Sequence, residues 1–135
     1  MCLKPKLKIA FCDDDEDDFL IVQAALAEAG YRDAICACTL SGKQLLDALR
    51  AADGNLPDVI LLDIGLPVMD AAKTLEKIRG DAQFQNVPVL LMTGSSEYVE
   101  AALEKYPHLT VDGILIKPVT IDSFADQLKP YLHCF

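Results

Sequence analysis

Five side chains in this sequence have the types and positions to do chemistry together: Asp13, Asp14, Asp63, Thr93 and Lys117. They follow four short, largely apolar runs, Leu7 to Cys12, Val59 to Leu62, Val89 to Met92 and Ile114 to Ile116. The central one is the second of these, Val59 to Leu62, entered after Pro57 and left through Gly65 and Pro67. Such a run has the length and bounds of a short strand buried on both faces, as in a parallel sheet. In an open α/β sheet, ligands bind in the crevice outside the carboxyl ends of the strands, so the polar exits share one edge. Alone, Asp63 would read better as the cap of a turn or of the next helix than as a site residue. Its company gives it a chemical reading.

Three carboxylates gathered within a few Å raise one another's pKa, so Asp13, Asp14 and Asp63 call for a divalent cation. Mg²⁺ fits best, because it prefers oxygen, uses few protein carboxylates and keeps waters that a phosphoryl group can replace. The remaining groups suit phosphoryl transfer, in which positioning and charge neutralisation do most of the catalysis. Asp63 would be the nucleophile and form an acyl phosphate. Lys117 would bring a point positive charge to the phosphoryl oxygens, and the Thr93 hydroxyl would donate to one of them. Gly94 would leave the pocket open.

These residues need elements to hold them. Leu7 to Cys12 reads as a first strand and Asp13 to Asp15 as the turn out of it. Ile21, Val22, Ala25, Leu26 and Ala29 then share a helical stripe that stops at Gly30. Ala34 to Thr39 reads as a second strand, after which Ser41 caps a helix of Leu45, Leu46 and Leu49 that ends at Asp53-Gly54-Asn55. Beyond the central strand, a helix from about Ala71 to Arg79 buries Leu75 and Ile78, with Gly80 after it. Val89 to Met92 is the fourth strand, followed by a helix of Val99, Ala102 and Leu103 closed by Pro107. Ile114 to Ile116 is the fifth strand. Thr120 starts a last helix with Phe124 and Leu128 inward, which Pro130 is expected to kink or end. Five strands alternating with five helices make an α/β fold, a parallel sheet with helices on both faces.

The chain has 135 residues, 52% of them hydrophobic, which suits one domain over residues 1–135 with a core of its own. A net charge of -9 argues against a nucleic-acid surface, which would want a basic face. Asp13 to Asp18 is an unbroken acidic run, part of which is expected to cap the helix that follows. The apolar runs fall short of the roughly 18 residues of a membrane helix, and the start is not a signal-peptide core, so a soluble cytoplasmic protein is expected. Five cysteines without a C-x-x-C pair suggest neither a disulfide framework nor a zinc module. Cys36 and Cys38 are expected to share one strand face and pack in the interior.

Over nearly its whole length the chain resembles the receiver domains of two-component response regulators. The resemblance rests on FCDDD at the first strand, ILLDIGLPVMD around Asp63, LLMTG at the fourth strand and LIKP at the fifth. It implies a flavodoxin-like sheet of order 2-1-3-4-5 and phosphorylation of Asp63 by a histidine kinase or phosphotransfer protein. It also implies Mg²⁺ held by Asp14, Asp63 and the Gly65 carbonyl, with Asp13 acting largely through water. Such a domain turns over no external substrate and passes its signal on by protein contacts. The chain departs from the family at Ala71, usually glycine, and at Ile114, usually aromatic. Ile114 is accordingly expected to be packing, and the Gly94 to Glu97 loop to carry the switch. Two other readings compete: a receiver-like docking module that is never phosphorylated, and a haloacid-dehalogenase-like phosphatase. The latter would need an acid where Gly65 stands.

Overall fold

A computed structural model describes residues 7–64, 68–94, 100, 104, 110–117 and 120–132. Its five strands are β1 (Ile9–Cys12), β2 (Ile35–Thr39), β3 (Val59–Asp63), β4 (Val89–Thr93) and β5 (Gly113–Ile116). All adjacent pairs are parallel, in the order β2-β1-β3-β4-β5. The described helices are α1 (Glu16–Glu28), α2 (Gly42–Ala51), α3 (Val68–Gly80) and α4 (Ile121–Leu132). The sheet order is the one the resemblance implied. None of the described helices is long and apolar enough to cross a membrane.

Two apolar layers sandwich the sheet. On one face Ile60, Leu62 and Leu91 meet Leu45 and Leu49 of α2 and Leu75 and Ile78 of α3. On the other, Phe11, Leu61 and Leu90 meet Val22 and Leu26 of α1 and Phe124 and Leu128 of α4. β1, β3 and β4 are buried along their whole length, which explains why their sequences run apolar without alternation. Helix ends use the expected residues. Gly30, at φ +94°, closes α1 in a Schellman turn, its N–H on the Ala27 carbonyl and that of Tyr31 on Leu26. Ser41 caps α2 by accepting from Gln44 N–H at 3.2 Å.

Three expectations need correction or fall outside the described residues. Cys36 and Cys38 are exposed and not packed in the interior, because β2 is an edge strand along which exposure alternates, with Ile35, Ala37 and Thr39 as the more buried positions. Pro130 neither ends nor breaks α4, which continues to Leu132. Its ring removes only its own N–H from the ladder, and the following Tyr131 packs so closely over Gly113 that a Cβ there would strike its ring. Val99, Ala102 and Leu103 of the expected helix, together with Gly65, Pro118 and the Ser95 to Glu97 part of the switch loop, lie outside the described residues.

Candidate functional site

The carboxyl ends of β1, β3, β4 and β5 converge as the sequence required. Asp13 leaves β1 and Asp63 ends β3, each only 1% exposed, while Asp14 is exposed beside them. One ligand atom from each of Asp13, Asp14 and Asp63 lies within 4.8 Å of the others. Thr93 ends β4, buried, one residue beyond the Met92 that pairs with Asp63. Its carbonyl accepts the Lys117 N–H at 2.6 Å, tying the exits of β4 and β5 together. A Cβ on Gly94 would meet no described atom within 4 Å, so among these residues the space beside Thr93 does not depend on a glycine.

The Lys117 ammonium sits among carboxylates. It donates to Asp18 Oδ2 at 2.7 Å and lies 3.0 Å from Asp63 Oδ2 and 3.3 Å from Asp13 Oδ2. Burial opposes its charge, but the hydrogen bonds to Asp18 and Asp63 and the field of Asp63 and Asp13 outweigh burial and hold it above the usual lysine range. Asp13 is likewise raised, to about 8, first by burial and then by the neighbouring Asp63 and Asp18 carboxylates, against the help of the Asp15 N–H. That N–H donates to Asp13 Oδ1 at 2.9 Å. Asp13 Oδ2 is buried without a hydrogen-bond partner, the ammonium 3.3 Å away being too poorly aligned to serve.

An orphaned buried carboxylate oxygen beside two further carboxylates suits a hard, oxygen-seeking cation, and the donor set fits Mg²⁺. Nearby Cys12 is no competing nucleophile: burial raises its thiol to about 11, against a hydrogen bond with Thr39 and with the help of the Asp13 and Asp63 charges.

The sequence reading missed Asp18. It is one of six acids in a row, and composition does not say which of them turns inward. The signal was helix phase: Asp15 is the N-cap of α1, accepting from Asp17 N–H at 2.9 Å, and Asp18 follows three residues later. Phe19 then packs on Phe11 of β1 with ring centroids 5.8 Å apart, which fixes this first turn over the strand exits.

Residues 9–129 match the family of response regulator receiver domains. The chain is similar to the DNA-binding transcriptional regulator NtrC of Klebsiella pneumoniae, with 36% identity over 82% of this chain and 22% of that protein. It thus spans about a fifth of that relative's length. The polar-differentiation response regulator DivK of Brucella ovis is 23% identical over 92% of this chain and 94% of its own. Among solved structures, a two-component response regulator from Legionella pneumophila superposes with a TM-score of 0.74 at 29% identity, covering 96% of this chain and 100% of that one.

Proposed function

The chain belongs to the response regulator receiver domain family, and on that premise we propose that residues 1–135 act as one receiver domain in the cytoplasm, phosphorylated on Asp63. The phosphoryl donor is a histidine kinase or phosphotransfer protein. A carboxylate oxygen of Asp63 bonds to phosphorus as the bond from phosphorus to the donor's imidazole nitrogen breaks, and that electron pair returns to the ring. Lys117 neutralises the phosphoryl oxygens and the Thr93 hydroxyl donates to one of them. Asp13, Asp14, Asp63 and the Gly65 carbonyl would hold Mg²⁺, which when bound offsets the negative charge that the phosphoryl group brings. Later attack by water on the phosphorus releases phosphate and restores Asp63. Receiver domains are signalling modules, and this one passes its state on by protein contacts.

The observation that carries this reading is the gathering of Asp13, Asp14 and Asp63 within 4.8 Å, with the Lys117 ammonium 3.0 Å from Asp63. Mass spectrometry after incubation with acetyl phosphate tests it. The wild-type chain should gain one phosphoryl group with Mg²⁺ and none with a chelator, and Asp63→Asn should gain none. Labelling that persists in Asp63→Asn would remove Asp63 as the acceptor, and a chain never labelled under any condition would leave the docking-module reading.

A further inference from the structure

We propose that Asp18 is a positioning residue of this site: it seats the Lys117 ammonium to one side of Asp13 and Asp63, leaving those two carboxylates for the cation and a lysine N–H for the phosphoryl group. The inference rests on the phosphoryl-transfer reading above.

The geometry points there in three steps. Lys117 Nζ lies near three carboxylates, and two of them, Asp13 and Asp63, belong to the group that fits a cation. A divalent ion placed on that group repels an ammonium 3.0 and 3.3 Å from its ligand atoms, so the ammonium needs another seat. Asp18 is outside the cation group and makes the shortest contact of the three, 2.7 Å.

Lysine is suited to such an arrangement. Its ammonium has three donors, so it can keep Asp18 with one and offer another to a phosphoryl oxygen on Asp63. Its four-carbon stem is flexible, and untethered it would have to be ordered anew at each phosphorylation. Asp18 can serve as a tether because it is itself held: it follows the N-cap Asp15 and precedes Phe19, whose ring packs on Phe11. Both partners are mostly shielded, with side-chain exposures of 25% for Lys117 and 22% for Asp18, so the pair is less screened than a surface ion pair.

The test is a double-mutant cycle read by Mg²⁺ titration, with labelling by acetyl phosphate beside it. Asp18→Ala and the isosteric Asp18→Asn are compared in the wild-type and Lys117→Ala backgrounds, after circular dichroism establishes that each variant is folded. In the wild-type background Asp18→Ala should weaken Mg²⁺ about fivefold, with labelling slowed by at least as much, and Asp18→Asn should lie between. In the Lys117→Ala background the same change should shift Mg²⁺ affinity by about twofold or less, because the ammonium through which Asp18 acts is gone. Equal losses in both backgrounds, or no loss in either, would overturn the role given to Asp18. A wild-type chain that binds Mg²⁺ but takes no phosphoryl group would instead count against the phosphoryl-transfer reading, while the titration cycle still decides whether Asp18 positions Lys117.

Discussion

Asp13 is the most strained charge among the described residues of the site, and removing it should stabilise the cation-free protein. Its carboxyl is raised from 3.8 to about 8, chiefly by burial. The sign follows from proton uptake. Between those two values the folded chain holds a proton on Asp13 that the unfolded chain has released, so the contribution of Asp13 to stability is greatest below about 3.8 and is lost as pH rises through about 8. At pH 7 the folded form is still mostly protonated there, and the cost relative to acid is the gap of about three pH units above the unfolded value, roughly 4 kcal/mol at most. At pH 5 it is only about 2 kcal/mol.

Asp13→Asn keeps an acceptor for the Asp15 N–H and carries no charge at any pH. Urea denaturation with a chelator at pH 5, 7 and 8.5 should show the variant more stable than wild type by a margin that grows with pH. If about 1 kcal/mol of the difference at pH 7 survives relaxation of the site, the melting temperature rises by roughly 4 °C. Mg²⁺ should reverse the ranking, since wild type gains stability from binding and the variant loses a ligand. A variant less stable than wild type without cation, or a margin that is the same at pH 5 and pH 8.5, would refute the claim that Asp13 is held as a strained buried acid.

Two further outcomes separate the roles within the site and the packing outside it. Lys117→Ala should bind Mg²⁺ at least as tightly as wild type yet label poorly with acetyl phosphate, whereas Asp14→Ala should lose Mg²⁺ affinity by tenfold or more; variants indistinguishable in titration and labelling would mean the two roles are misassigned. Gly113→Ala should cost about 1–3 kcal/mol in thermal or urea unfolding, because the new Cβ strikes the Tyr131 ring, and most of that cost should vanish in a Tyr131→Ala background.

The strand exits were legible in the sequence for a physical reason. In a parallel sheet covered on both faces, β1, β3 and β4 are apolar throughout, so the polar residue after each run marks the edge where it stops. Asp13, Asp63, Thr93 and Lys117 were found this way. Asp18 was not, because a helix that begins inside an acidic run hides its inward member among equals, and only the phase set by the Asp15 cap distinguishes it. Cys36 and Cys38 misled because the residue types do not say that β2 lies at the edge of the sheet, where alternate positions face outward. Pro130 misled because a proline removes only its own N–H from the helical ladder, and the packing of α4 carries that loss through to Leu132.

The backbone that carries Lys117 is held from both sides. The Lys117 N–H reaches the Thr93 carbonyl at 2.6 Å, and the Gln127 side-chain amide of α4 both donates to the Ile116 carbonyl and accepts from the Ile116 N–H, each at 2.8 Å. Gln127 takes the place a further strand would occupy on the open edge of β5, and so blunts that edge while fixing it. Ile114, paired with Leu91 and packed on the α2 and α3 layer, adds a β-branched side chain that is stiff at χ1 and no ring that could swing. The ammonium has seats on Asp13, Asp18 and Asp63 all within 3.3 Å, so exchanging one for another requires rotation of the side chain and no rearrangement of the sheet. Because Asp18 belongs to α1, its contact with Lys117 also ties the first turn of that helix to the exits of β1, β3 and β5.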